Sequence, residues 1–281
     1  MTDRYAVVGN PVAHSRSPQI HTEFARQTGQ DIDYTRLFAP RDEFATTVRK
    51  FRAEGGKGLN VTLPFKLEAF RLCEPADSAI DAEAANTLTF VDHRIRGDNT
   101  DGSGLLRDIQ HNLRCAIAGK RVLIMGAGGA TRGVMGPLLR ERPALVVVAN
   151  RTLDKATGLV AHFEKFRTFT ARGISALPYA GLAGATFDIV INATSAGLND
   201  EMPALPAGVF AAGALAYDMV YGRQTPFMKF AAEHGALAAD GLGMLVEQAA
   251  ESFLIWRGVR PDAAPVIALL RAQDRAVSSE R

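Results

Sequence analysis

The segment Gly126-Ala127-Gly128-Gly129-Ala130-Thr131-Arg132-Gly133 follows an apolar run, Arg121 to Met125, and opens a helical pattern. Glycines in such a turn let backbone N–H groups close on a pyrophosphate, and the helix N-terminus favours its negative charge. The strict G-x-G-x-x-G spacing is not met, because Thr131 occupies the third glycine position. A tight strand–helix turn that holds no ligand is the other reading of the same glycines. The next apolar run, Leu145 to Ala149, ends at Asn150-Arg151-Thr152, with Lys155 four positions beyond Arg151. A ribose with a free 2′-hydroxyl is met by Asp or Glu at that place. A guanidinium there can instead pair bidentately with a 2′-phosphate and stack on adenine, and a second cation adds to the field. The spacing therefore favours NADP over NAD. The alternative is that Arg151 is an ordinary surface arginine.

Other chemistries find little support. Cys73 and Cys115 form no C-x-x-C, and neither has a cysteine or histidine at metal-ligand spacing. His14, His21 and His111 belong to no metal-type cluster, so no metal is expected. Two reduced thiols suit a reducing compartment, and the cytoplasm is the expected location. The 281 residues hold 32 Lys and Arg against 30 Asp and Glu, a net charge of +2. That balance leaves no electrostatic footprint for nucleic acid or an anionic membrane. The uncharged run from Met202 to Tyr217 is broken by Pro203, Pro206, Gly208 and Gly213, so no segment reads as membrane-spanning. The N-terminus, with Asp3 and Arg4 before a short apolar stretch, is not a secretory signal.

The elements that must position these residues alternate along the chain. Tyr5 to Gly9 reads as a buried strand, and Ser17-Pro18 as the start of a helix with Ser17 as its N-cap. Ile20 and Phe24 give that helix an apolar face, and Gly29 ends it. A strand over Tyr34–Phe38, a helix over Arg41–Glu54, and strands over Gly58–Thr62 and Asn86–Val91 follow. Leu105, Leu106, Ile109 and Leu113 predict an amphipathic helix. The uninterrupted apolar runs Arg121–Met125, Leu145–Ala149 and Phe187–Ile191 suit strands covered on both faces, as in a parallel sheet. Leu245, Ala249 and Phe253 lie on one helical stripe near the C-terminus, and the last eight or so residues are polar and expected to fray. Trp256 is expected in a core or interface. The pattern gives an α/β fold with a doubly wound sheet from about residue 103 to 240.

Polar residues beside Gly, Pro and Asn are dense in the first hundred positions. Asn10-Pro11 precedes His14-Ser15-Arg16-Ser17-Pro18, and Asn60-Val61-Thr62-Leu63-Pro64-Phe65-Lys66 closes a strand. Asn86-Thr87 and Gly97-Asp98-Asn99-Thr100-Asp101-Gly102 follow, then Tyr217-Asp218-Met219-Val220-Tyr221 and Asp240-Gly241-Leu242-Gly243-Met244-Leu245. Taken in order, from about residue 5 to 270, this set resembles the shikimate dehydrogenase family. The resemblance implies reversible NADPH-dependent reduction of 3-dehydroshikimate to shikimate in aromatic amino-acid (chorismate) biosynthesis. It implies a substrate domain over 1–102, a Rossmann-like NADP domain over 103–241, and C-terminal helices over 242–281 that return to the substrate domain.

The family's site residues carry over onto matching positions. Ser15, Ser17 and Tyr221 would bind the substrate carboxylate. Thr62, Lys66, Asn86, Asp101 and Gln248 would contact the ring hydroxyls, with Lys66 and Asp101 as the catalytic pair. Asp77, Gly126, Ala127, Gly128, Gly129, Ala130, Asn150, Arg151, Thr152, Lys155, Met219 and Gly241 would hold the cofactor. Hydride delivery to a ketone develops alkoxide charge, and a proton donor at that oxygen is worth about 10²–10⁴-fold. An ammonium at position 66 can stabilise the charge and release the proton, and the neutral amine accepts it in reverse. One departure is Lys155, where the family most often has arginine. The charge survives there and the bidentate geometry does not. A broader quinate/shikimate dehydrogenase using NAD, and a nucleotide-sensing module without turnover, are the competing readings. Arg151 argues against the first, and Lys66 with Asp101 against the second. A homodimer is left open.

Overall fold

The computed structural model describes residues 2–164, 173–196 and 200–279. The chain divides into two compact units, Met1–Gly104 together with Val246–Arg281, and Leu105–Leu245.

The first unit is built on a mixed sheet. Its elements are β1 (Asp3–Gly9), α1 (Ser17–Thr28), β2 (Ile32–Phe38), α2 (Phe44–Ala53), β3 (Gly56–Val61), α3 (Lys66–Leu72), β4 (Glu74–Pro75), α4 (Asp77–Ala82), β5 (Thr87–Val91), β6 (Arg94–Asp98) and the start of α5 (Asp101–Arg107). The strand order is β2-β1-β3-β5-β6-β4. β1 runs parallel to β2 and β3, and β5 runs antiparallel to both β3 and β6. Ala6 and Val8 of β1, Leu59 and Val61 of β3, and Leu88 of β5 point to one apolar face, where Phe44, Val48 and Phe65 cover them. The opposite face packs Tyr5, Val7 and Tyr34 against Trp256, whose ring stacks on Tyr5 at 4.6 Å between centroids. Ile20 and Phe24 are fully buried, and Gly29 closes α1 at φ 64°.

The start of α1 differs from the sequence expectation. Arg16 is the N-cap and makes no side-chain cap bond, while Ser17 is the first helical residue. The Ser17 N–H is taken instead by the Ser15 hydroxyl at 3.3 Å, so the residue two before Ser17 does the capping. The hairpin partner β6 and the short elements α3, β4 and α4 carried no usable period. β6 reads Arg-Ile-Arg-Gly-Asp, with Arg94 and Arg96 exposed and only Ile95 packed on the core as an apolar side chain.

The second unit has β7 (Arg121–Met125), α6 (Gly129–Arg140), β8 (Leu145–Ala149), α7 (Leu153–Glu164), β9 (Ile174–Leu177), β10 (Phe187–Asn192), β11 (Phe210–Asp218), α8 (Pro226–Glu233) and β12 (Leu237–Asp240). All six strands are parallel, in the order β12-β11-β10-β7-β8-β9. The order reverses between β7 and β10, which is the doubly wound arrangement with its crevice at the carboxyl ends of those two strands. Val122 and Ile124 pack on one face with Val134 and Leu138 of α6. Leu123 and Met125 pack on the other with Phe187 and Phe227.

The helix expected through Leu113 is two pieces. α5 ends at Arg107 and one π-helical turn covers Asp108–Asn112. The wider turn breaks the 3.6-residue period, so Leu105 and Ile109 are buried while Leu113 faces solvent. The carboxylate of Asp108 at that turn accepts the buried Tyr217 hydroxyl at 2.6 Å. The chain leaves the first unit within α5 and re-enters it within α9 (Leu242–Arg257), followed by α10 (Ala263–Ser279). The polar residues near the C-terminus are thus helical as far as Ser279.

Candidate active site

β3 delivers Asn60 inside the sheet and Thr62 just beyond it, and a short turn brings the chain to Lys66 at the first position of α3. Asp101 is likewise the first residue of its helix, α5. The Lys66 Nζ lies 2.6 Å from Asp101 Oδ2, with the lysine side chain about a quarter exposed and the carboxylate 10% exposed. Asp101 Oδ1 accepts the Asn86 side-chain N–H at 2.8 Å. Both carboxylate oxygens are therefore acceptors, and the backbone N–H of Asp101 is held by Asn99 Oδ1 at 3.1 Å.

Asn86 is oriented without ambiguity. The Thr100 backbone N–H can only donate, and it lies 2.9 Å from Asn86 Oδ1, so the amide nitrogen must face Asp101. The same nitrogen lies 3.4 Å from Gln248 Oε1 on α9. Four residues predicted from different parts of the sequence, Lys66, Asn86, Asp101 and Gln248, thus meet within the first unit. Ser15 and Ser17 pair with each other, Oγ to Oγ at 3.2 Å, and Arg36 donates to the Ser15 carbonyl. Thr62 donates its backbone N–H to Val8 at 3.0 Å, at the carboxyl end of β1.

Residues behind this cluster were not singled out from sequence. Thr87, Thr100 and Ser252 are buried hydroxyls that join Asn60 to Asn86. The four-residue spacing from Gln248 to Ser252, one face of a helix, was the available signal. His21 is fully buried and stacks on Tyr34 at 4.1 Å between centroids. Burial pushes its imidazole down to about 3, with the Asn60 amide opposing the shift.

In the second unit, Gly126 ends β7 at φ 98°, where a Cβ would lie 3.1 Å from Thr194 Cγ2 and 3.2 Å from the Ala193 carbonyl. Thr131, in the place of the third glycine, is buried and donates to the Gly126 carbonyl at 2.7 Å, which closes the turn. Gly128, Gly129 and Ala130 are exposed at the N-terminus of α6, and a Cβ at either glycine would meet nothing within 4 Å. Ala127, between Gly126 and Gly128, is half-buried. That is open space beside outward N–H groups, which fits a pyrophosphate. At the end of β8 the Asn150 side chain donates to the Thr152 carbonyl at 2.8 Å, bending the chain so that Arg151, Thr152 and Lys155 are exposed. Met219 and Gly241 are adjacent: a Cβ at Gly241 would collide with the Met219 carbonyl.

Two assignments fall apart from their groups in the chain. Asp77 is an exposed residue at the start of α4 in the first unit, while the rest of the cofactor set belongs to the second. Tyr221 follows β11 in the second unit, while the rest of the substrate set belongs to the first. Among the described residues no group of three His, Cys, Asp or Glu could hold a metal ion, and no helix is long and apolar enough to cross a membrane.

Comparison with known proteins bears on the same segments. Residues 7–88 match the shikimate dehydrogenase substrate binding domain, 108–199 the shikimate / quinate 5-dehydrogenase family, and 241–271 the shikimate 5′-dehydrogenase C-terminal domain. A shikimate dehydrogenase (NADP(+)) of Aromatoleum aromaticum is 58% identical over 276 residues, covering 96% of this chain and 98% of the relative. The solved structure of an Ael1 enzyme from Pseudomonas putida is 48% identical with a TM-score of 0.89, covering 96% of this chain and 98% of that one. The shikimate 5-dehydrogenase of Thermus thermophilus, in complex with NADP(H) and shikimate, is 31% identical with a TM-score of 0.85, covering 96% and 99%. With identity at this level over nearly its whole length, and with the glycine-rich turn and the Lys66–Asp101 pair on its own scaffold, this chain belongs to the shikimate dehydrogenase family.

Proposed function

We propose that the chain catalyses the NADPH-dependent, reversible reduction of 3-dehydroshikimate to shikimate, with Lys66 and Asp101 as its acid/base pair. The observation that carries this reading is the 2.6 Å contact between Lys66 Nζ and Asp101 Oδ2, with Asn86 fixing the other carboxylate oxygen.

Bound NADPH supplies the hydride. Lys66 holds a proton at Nζ and presents it to the carbonyl oxygen as negative charge develops there. Asp101 orients the ammonium and offsets its charge, and in the oxidative direction the Lys66 amine takes the proton back from the hydroxyl. Asn86 and Gln248 bind ring hydroxyls, with Thr62 beside them. Ser15, Ser17 and Tyr221 hold the carboxylate. Ala127, Gly128, Gly129 and Ala130 offer the pyrophosphate backbone N–H groups, Gly126 shapes the turn while its own N–H goes to the Ala149 carbonyl, and Asn150, Arg151, Thr152 and Lys155 take the ribose and its 2′-phosphate. Asp77 belongs to the cofactor set through the family resemblance. Met219 and Gly241 line the nicotinamide. The enzyme works in the cytoplasm, which the two free thiols support; burial pushes Cys73 up to about 11, so it stays protonated and inert.

The test is a spectrophotometric assay of NADP reduction with shikimate, run beside quinate and beside NAD. Turnover with shikimate and NADP is expected, and its absence with every pair would leave a binding protein. Lys66→Ala is expected to lower kcat by about 10²–10⁴-fold with a modest change in KM. An unchanged kcat removes the lysine from the reaction.

A further inference from the structure

Behind the Lys66–Asp101 pair the hydrogen bonds can run in one direction. The backbone carbonyl of Asn86 can only accept, and it lies 3.3 Å from the Asn60 side-chain nitrogen, which leaves Asn60 Oδ1 facing the Tyr34 hydroxyl at 2.7 Å. Tyr34 is buried, and that burial pushes its phenol well above the ordinary range, so it stays a donor. The Asn60 nitrogen donates onward to Ser252 Oγ at 3.0 Å. The Thr87 hydroxyl lies 2.9 Å from Asn86 Oδ1, an acceptor by the argument above, so its single proton can go there. With the Thr87 proton on Asn86, Ser252 donates across its 2.8 Å contact with Thr87; its other acceptor is the Gln248 carbonyl at 3.0 Å, and in that arrangement Thr87 donates to Ser252 instead. Asn86 donates to Asp101, and Asp101 receives Lys66.

We infer that Thr87 and Ser252 are positioning residues of the reaction. Their hydroxyls form the middle of a relay, Tyr34 to Asn60 to Ser252 to Thr87 to Asn86, that ends on Asp101 and fixes the carboxylate against which Lys66 is aimed. The inference rests on the proposed Lys66–Asp101 acid/base pair. Two features support a built device over incidental packing. Ser252 and Thr87 have no exposed surface, and the links come from β2, β3, β5 and α9. Hydrogen bonds aligned donor to acceptor polarise one another, and the accumulated dipole points its positive end at the carboxylate. Neither hydroxyl bonds directly to Lys66 or Asp101, so each acts through Asn86.

The experiment uses the full-length protein with 3-dehydroshikimate and NADPH, and repeats each assay with NADPH deuterated at the transferred position. Thr87→Val keeps the shape and removes the hydroxyl, whereas Thr87→Ser keeps the hydroxyl. Loss of one buried hydrogen bond that acts on the chemical step predicts a fall in kcat of about tenfold for Thr87→Val and about threefold for Ser252→Ala. KM for 3-dehydroshikimate stays within about twofold, the isotope effect grows, and Thr87→Ser restores kcat. A Thr87→Val enzyme with wild-type kcat, a loss carried by KM alone, or an equal loss in Thr87→Ser overturns the inference. Should Thr87→Val fail to fold by circular dichroism, Ser252→Ala decides alone, and a wild-type kcat there overturns it. An inactive wild type, or a Lys66→Ala enzyme with full kcat, removes the acid/base reading and this inference with it. An active wild type with unimpaired hydroxyl variants removes the inference only.

Discussion

Lys66 and Asp101 each begin a helix, and the consequences differ in sign. The partial positive charge of a helix N-terminus favours the aspartate and opposes the ammonium. The carboxylate 2.6 Å away is what offsets that opposition for Lys66. Asp101→Asn should therefore lower kcat by about 10²-fold or more while NADPH affinity, measured by fluorescence titration, stays within about twofold. Lost nucleotide binding would contradict that. Arg151 supports a separate prediction. A guanidinium on the 2′-phosphate makes charge-assisted hydrogen bonds worth about 1.5–3 kcal/mol, so Arg151→Ala should weaken NADPH about 10–100-fold and leave NADH nearly unchanged. Equal weakening of the two would mean that Arg151 does not read the phosphate. These residues were legible because each sits in a run of distinctive types. Ser252 was not legible, because its four-residue spacing from Gln248 places it on the same helix face but gives it no role until the strands beside it are known.

The glycine-rich turn after β7 separates two demands that sequence alone merges. Gly126 is needed for its conformation: φ is 98° and Thr194 and Ala193 crowd the place a Cβ would take. Gly128 is extended, and space is open around it. Gly126→Ala should lower Tm by several degrees, as expected for about 1–3 kcal/mol of backbone strain. Gly128→Ala should leave Tm within about 2 °C and weaken NADPH, because the added methyl fills ground reserved for the pyrophosphate. Equal thermal losses in both would contradict the division. β7 and β8 were predicted with their observed ends because strands covered on both faces are continuous apolar runs. β6 escaped because a charged strand beside a hairpin has no such run. A π-turn leaves no mark in the hydrophobic period, so the pattern through Leu113 reads as one regular helix where the structure has two pieces.

At the scale of the molecule, His21 sets an acid limit on stability. Its imidazole stacks on Tyr34 and lies near Phe24, Phe253 and Trp256. Burial holds the native imidazole neutral down to about 3. The unfolded chain takes up that proton below about 6.5. Between those two values the unfolded state binds more protons, so stability falls as pH falls, by up to about 1.4 kcal/mol per unit. His21→Phe keeps the stack and cannot be protonated. Its Tm relative to wild type should rise progressively from pH 7 to pH 4.5, and a constant difference across that range would rule out His21 as the source.

The discontinuity of the first unit has a consequence for how the protein is made. Asn60 and its partner Ser252 are 192 residues apart. A ribosome adding about 5–20 residues per second needs roughly 10–40 s to cover that distance. Throughout that interval the Asn60 amide in the nascent sheet has the Asn86 carbonyl and the Thr87 hydroxyl at 3.3 Å, while its nearest acceptor, Ser252 at 3.0 Å, is still unsynthesised. Chaperone capture or misfolding should concentrate in that interval, and a strain with slowed translation between codons 105 and 245 should lengthen it.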